Sequence, residues 1–153
     1  IANDNSPIQI VISGKKEDLL YSENFFKNSG ALKFILLNVS AAFHSNLMIK
    51  AEEKMLNFIN NTTFNSSNIN IISNYSAKSS NDISIIKNNL SKQMSNKVRW
   101  VESIKTLENL NEENIIEIGP GKVLSGLIKR ISKKFKLINF NSINDIENID
   151  NAT

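Results

Sequence analysis

The sequence predicts an α/β fold with parallel strands, on three observations. Short β-branched runs alternate with segments whose apolar residues recur at steps of three and four. The strand-like run Asn114–Ile118 stops at Gly119-Pro120-Gly121 and leads directly into a helical pattern. A second apolar run, Leu137–Phe140, closes that unit. Strand, helix, strand alternation of this kind builds layered sheets with parallel neighbours.

Gln9–Ser13 is a short β-rich run ended by Gly14, and Lys15–Asn28 carries Leu19, Leu20, Phe25 and Phe26 at mostly helical spacing before Ser29-Gly30. Leu32–Val39 reads as strand again, so the opening resembles part of a small α+β unit. Ser45 can cap the next helix, whose Leu47, Met48, Ala51, Met55, Phe58 and Ile59 form one stripe opposite Lys50, Glu53 and Asn57. Residues 60–68 are polar loop, and Ile69–Ser73 is a short strand. Asp82 caps a helix to about Met94, with Ile83, Ile86, Leu90 and Met94 inward, and Val98–Leu110 forms another with Val101, Ile104 and Leu107 on one side. Strand Asn114–Ile118 then precedes a helix from Lys122 to about Phe135, and Leu137–Phe140 is the final strand.

At 153 residues the chain has the length of one domain, and 41% apolar against 22% charged residues excludes a disordered or fibrous polymer. No apolar run approaches the ~20 residues needed to span a bilayer. With no Cys, disulfides, thiolate catalysis and cysteine metal sites are excluded, and one His excludes a His-rich centre. No D-x-D-x-D-G calcium loop occurs, so no metal is expected.

Three constellations could carry chemistry. His44 sits in a loop between a strand-like run and a helix, where α/β proteins keep reactive groups, and an imidazole can move protons near neutral pH. The bland reading is a half-buried His bonded to backbone. Gly119-Pro120-Gly121-Lys122 lacks the spacing of a phosphate-binding loop and reads better as a tight turn. Between Ile118 and Asn144 there is no acid, while Lys122, Lys129, Arg130, Lys133, Lys134 and Lys136 supply six positive charges. That patch suits a polyanion or simply solvation, and a basic module for nucleic acid or another polyanion is the alternative reading of the whole chain. No G-x-S-x-G elbow is present.

The segments, taken in order, resemble the C-terminal half of a malonyl-CoA:acyl carrier protein transacylase. Ile1 through Gly14 is similar to the family's A-N-x-N-x-P-x-Q-x-V-I-S-G segment. Ala42-Phe43-His44-Ser45 with Leu47-Met48 resembles the stretch bearing the catalytic His. Gln93, Val98 and Trp100 resemble Q-x-x-x-P-V-x-W, Glu117 through Gly126 resembles E-x-G-P-G-K-V-L-x-G, and Phe140 to Ile149 resembles the closing segment.

The resemblance implies an α/β fold comprising the C-terminal part of a hydrolase-like parallel-sheet acyltransferase domain plus part of a small ferredoxin-like α+β subdomain. Residues 1–39 would belong to the small subdomain and 40–153 to the large one. It implies that His44 serves an acyl-accepting Ser supplied by a G-H-S-x-G segment absent from this sequence, and that the main-chain carbonyl of Gln93 orients the imidazole. Asn3 and Asn5 match positions near the acyl-binding cleft, although satisfying the turn at Pro7 is nearly as good a role. Lys129 and Arg130, together with Lys33, match basic positions suited to an acidic carrier protein.

The substrate implied is malonyl-CoA and the partner acyl carrier protein, whose phosphopantetheine arm supplies the thiol. No resident cofactor, nucleic acid or membrane is expected. The chain is expected to be inactive without the serine-bearing half. Lys97 stands where the family usually has Pro, so the loop after Gln93 is expected to be less stiff. Asn and Ile fill 48 of 153 positions, a bias of AT-rich coding. Were the source apicomplexan, the family's role would imply the plastid (apicoplast), and otherwise the cytoplasm.

Overall fold

The computed structural model describes residues 1–148. Ile149, the end of the family-like closing segment, and the rest of the expected second portion to residue 153 lie outside the described residues.

The chain opens with a hairpin in which β1 (Asn3–Ser6) runs antiparallel to β2 (Gln9–Val11), with a bulge between Asp4 and Ser6. The other edge of β1 is also taken: the Val98 amide donates to the Ala2 carbonyl (2.8 Å) and the Asp4 amide to the Val98 carbonyl (3.0 Å). Asn-Asp-Asn-Ser has poor strand propensity, which is why β1 was not foreseen. Neighbours on both sides impose it.

Helix α1 (Lys16–Asn28) carries Glu17 and Asp18 in its first turn and Lys27 in its last, the order that complements the helix dipole. It ends where Gly30 takes a φ of 96° and the Ala31 amide donates to the Phe26 carbonyl (3.0 Å). The strand expected over Leu32–Val39 does not form. Phe34 stacks on Phe26, with ring centroids 6.1 Å apart, but no described segment lies alongside to build a ladder. Leu32, Ile35, Leu36, Leu37 and Val39 stay exposed. Apolar composition alone does not make a strand; pairing does.

A 3-10 turn (Asn46–Met48) leads into α2 (Ile49–Asn61), and Ser45 caps the turn through the Leu47 amide (3.3 Å). Of the expected stripe only Ile59 is buried, whereas Met55 and Phe58 are exposed. Short strands β3 (Ile71–Ile72) and β4 (Ser79–Ser80) pair antiparallel. Helix α3 (Ile83–Lys92) begins at Asp82, whose carboxylate accepts the Ser84 (2.7 Å) and Ile85 (3.1 Å) amides. Leu90, expected inward, is exposed, and Asn89 and Ser91 are buried instead. Helix α4 (Trp100–Asn109) buries Ile104.

Strand β5 (Asn114–Ile118), helix α5 (Val123–Ile131) and strand β6 (Lys136–Phe140) form the parallel unit predicted from sequence, in register from Asn114↔Lys136 to Ile118↔Phe140. The helix stops at Ile131, short of Phe135, because Ser132 is extended. Leu127 and Ile128 face inward, but Val123 and Leu124 are exposed. A 3-10 stretch, Ile143–Asn148, follows. The buried side chains Ala2, Val98, Ile104, Leu127 and Ile128 gather where β1 lies against α4 and α5. No helix among the described residues is long and apolar enough to cross a membrane.

Candidate active site

The site begins with a backbone departure. His44 has a φ of 61°, in the left-handed region that non-glycine residues avoid at a cost of about 1–2 kcal/mol. The end of α3 holds it there. The His44 amide donates to the Met94 carbonyl (2.9 Å), and ring Nδ1 lies 2.9 Å from the carbonyl oxygen of Gln93. Ser45 reinforces the turn, its hydroxyl donating to the Ala42 carbonyl (2.6 Å).

The Gln93 amide nitrogen also lies 3.3 Å from Nδ1. One tautomer cannot serve both contacts. A carbonyl only accepts, so the shorter bond assigns the proton to Nδ1, and the amide N–H then finds no lone pair there. Nε2 is left with its lone pair, on a half-buried ring. The chemical result is an oriented imidazole with the Nε2 lone pair available to accept a proton.

Two further attachments surround this pair. Glu52, on α2, is buried, and its carboxylate accepts the Ser95 hydroxyl and an N–H of Lys92 (2.9 Å). Burial opposes its ionisation, but the bonds from Ser95 and Lys92 outweigh that and hold the carboxyl below its ordinary value. Lys97 places its ammonium 3.9 Å from Asp4 and 3.7 Å from Glu102, whose other oxygen pairs with Arg99. The loop expected to be loose without proline is tethered by charge to β1 and α4. Both lysine contacts are long and partly solvated, so each contributes little alone.

Val98 carries this loop onto β1, which places Asn3 on the strand joined to the segment that follows Gln93. Asn3 and Asn5 are half-buried, and neither side chain has a hydrogen-bond partner among the described residues. Neither side chain bonds the turn at Pro7 among the described residues.

The Gly119-Pro120-Gly121 turn is built by capping, not by an anion site. Gly119 and Gly121 have φ of 136° and 91°, and a Cβ at either would meet open space, so backbone conformation selects glycine. Glu117 reaches from β5 to the first turn of α5 and accepts the Leu124 (2.9 Å) and Ser125 (2.8 Å) amides, while Asn139 donates to the same carboxylate (2.9 Å). Hydrogen bonding to Ser125, above all, holds this carboxyl below its ordinary value.

Lys129 and Arg130 are exposed at the end of α5, and Arg130 also donates to the Gln9 side chain on β2 (2.8 Å). Lys33 is exposed in the irregular 32–39 stretch, joined to neither by any hydrogen bond or ion pair among the described residues. Among those residues no group of three or more acidic or His side chains is placed to hold a metal. A surface depression of about 410 Å³ lined by Ile116, Ile118, Phe140 and Ile143 opens at the end of the parallel pair and does not include His44.

No family model matches the chain. It is 39% identical over 152 residues to the malonyl CoA-acyl carrier protein transacylase of Bacillus subtilis, covering 99% of this chain and 47% of that protein. It is 37% identical over 146 residues to the Staphylococcus aureus protein of the same name, covering 95% and 47%. The chain resembles the C-terminal half of a malonyl CoA-acyl carrier protein transacylase.

Solved structures agree. The acyl-carrier-protein-S-malonyltransferase of Bartonella henselae superposes with a TM-score of 0.92 at 35% identity, over 99% of this chain and 48% of that one. A malonyl-transacylase solved in complex with a type II PKS acyl-carrier protein superposes with a TM-score of 0.94 at 30% identity, over 99% and 49%. The chain thus spans about half the length of the transacylases it matches. The sequence had pointed to Gln93, Asn3 and Asn5 through that resemblance, and to His44 also through its loop position before a helix. It gave no sign of Glu52 and Ser95, since a Glu on a polar helix face reads as solvated.

Proposed function

We propose that this chain supplies the proton-transferring half of a malonyl-CoA:acyl carrier protein transacylase, with His44 as base for a serine carried by the other half. The observation that supports it is the bond from His44 Nδ1 to the Gln93 carbonyl, which leaves Nε2 free as acceptor. The serine hydroxyl gives its proton to Nε2 as its oxygen attacks the malonyl thioester. The imidazolium then returns the proton to the departing coenzyme A sulfur, leaving malonyl on the serine. In the second half-reaction the phosphopantetheine thiol gives its proton to Nε2 and attacks the acyl-serine. The new thioester forms, and the serine oxygen recovers the proton.

The Gln93 carbonyl does for the imidazole what a carboxylate does in a Ser-His-Asp triad, at the strength of a dipole rather than a charge. Asn3 and Asn5, whose side chains have no hydrogen-bond partner among the described residues, are proposed to bond the acyl substrate, and Lys129 and Arg130, with Lys33 in a lesser role, to meet the carrier protein. No resident cofactor enters this scheme. Residues 1–39 and 40–153 are proposed to belong to the small and large subdomains. The relatives reported are bacterial, which gives the plastid expectation no support.

The chain is expected to transfer no malonyl group alone and to do so when co-expressed with the serine-bearing half, read as a mass increase on acyl carrier protein. Transfer by the chain alone, or none from the assembled pair, overturns the reading.

A further inference from the structure

We infer that Glu52 is a positioning residue for His44: its buried carboxylate ties α2 to the end of α3 and so holds the two carbonyls that fix the ring and backbone of His44. The inference rests on the proposed role of His44 as base.

The chain from His44 to Glu52 is attached to the segment Lys92–Ser95 at two points. At one, His44 bonds the carbonyls of Gln93 and Met94 through its ring and its amide. At the other, Glu52 bonds Lys92 and Ser95, the residues on either side of that pair. Neither attachment alone fixes the relation of α2 to the end of α3, because a single point permits rotation. Together they set both distance and direction. Ser95, like Glu52, is only 9% exposed. A carboxylate buried against a hydroxyl gives weak grounds for net stability, since an apolar residue of like volume does as well or better there, and fixing one geometry is the remaining benefit. Of the α2 stripe only Ile59 is buried, so apolar packing leaves part of that constraint to the polar contacts.

The test uses the enzyme assembled from this chain and its serine-bearing half. Glu52→Leu is expected to keep the thermal midpoint while kcat falls on the order of tenfold, with KM for malonyl-CoA nearly unchanged. The ¹⁵N shifts of the His44 ring, assigned by their loss in His44→Asn, should show the Nδ1-protonated form losing its dominance. Glu52→Gln keeps an acceptor for Ser95 and should recover most of kcat. Should Glu52→Leu not fold, Ser95→Ala removes the same attachment with less disturbance and is expected to move kcat and the ring shifts alike.

Unchanged kcat and ring shifts in the variant that folds overturn the inference. So does a fall in kcat that follows the thermal midpoint with the ring pattern intact, which would be ordinary destabilisation. If His44→Asn still transfers malonyl, the role of His44 has failed whatever Glu52 does. If His44→Asn is inactive and the Glu52 variants behave as wild type, only the inference has failed.

Discussion

Nδ1 of His44 stands 2.9 Å from the main-chain oxygen of Gln93, although 49 positions separate the two residues in sequence. The partner is backbone, so the Gln93 side chain is dispensable for this contact. Gln93→Ala is therefore expected to keep transacylase activity within about threefold of wild type in the assembled enzyme, a difference of well under 1.4 kcal/mol in barrier. Steady-state transfer to acyl carrier protein measures it. A hundredfold loss would show that the amide nitrogen 3.3 Å from the ring is the working contact instead.

On the role proposed for His44, replacing it removes the base from a unit whose members act together, and the expected loss is on the order of 10³-fold or more in kcat. The choice of replacement matters because of the backbone. At a φ of 61°, Asn tolerates the left-handed conformation better than Ala does. His44→Asn and His44→Ala should be equally inactive, with His44→Ala the less stable by up to about 1 kcal/mol in urea. A rate loss below tenfold for either would remove His44 from the mechanism.

What could be read in advance follows from where each constraint originates. The unit β5, α5, β6 was legible because Asn114–Ile118, the Gly-Pro-Gly turn and Leu127-Ile128 announce themselves within a few residues of one another. Strand β1 was not, since Asn3–Ser6 is extended only by virtue of pairing with β2 and Val98. The converse error occurred at Leu32–Val39, apolar enough for a strand but lacking a neighbour. The site divides the same way. His44 was recognisable from its surrounding motif, yet no local pattern joins residue 44 to the 93–94 carbonyls, or Glu52 to Ser95. Those contacts exist only once α2 and α3 are packed together.

Glu117 ties the family-like turn to the helix after it, and its contribution should vary with pH. Its carboxyl is held below the ordinary value of 4.5 in the folded state. The stabilisation is thus fully present above the unfolded glutamate range and is lost as pH falls through the lower, folded value. Glu117→Ala is expected to cost about 1 kcal/mol at pH 7, the usual worth of a helix cap. In urea unfolding at a series of pH values, the two proteins should converge as the medium becomes acidic. A difference that persists unchanged at pH 3 would mean that the ionised cap is not what is lost.

Lys129 and Arg130 differ in what each would contribute to the proposed docking. Both are exposed on α5, but Arg130 is partly engaged by the Gln9 side chain, whereas Lys129 has no such partner among the described residues. Charges at the edge of an encounter surface alter association more than the chemistry that follows. Lys129→Glu is expected to raise KM for acyl carrier protein several-fold while leaving kcat, and malonylation of the serine from malonyl-CoA, unchanged. Raising the salt from 0.05 to about 0.5 M should shrink the gap between variant and wild type, because screening shortens the reach of both. Arg130→Glu should do the same and also loosen the β2 hairpin from α5, lowering stability where Lys129→Glu does not. A kcat effect from Lys129→Glu, or a KM effect insensitive to salt, would place that lysine at the reaction centre rather than on the docking face.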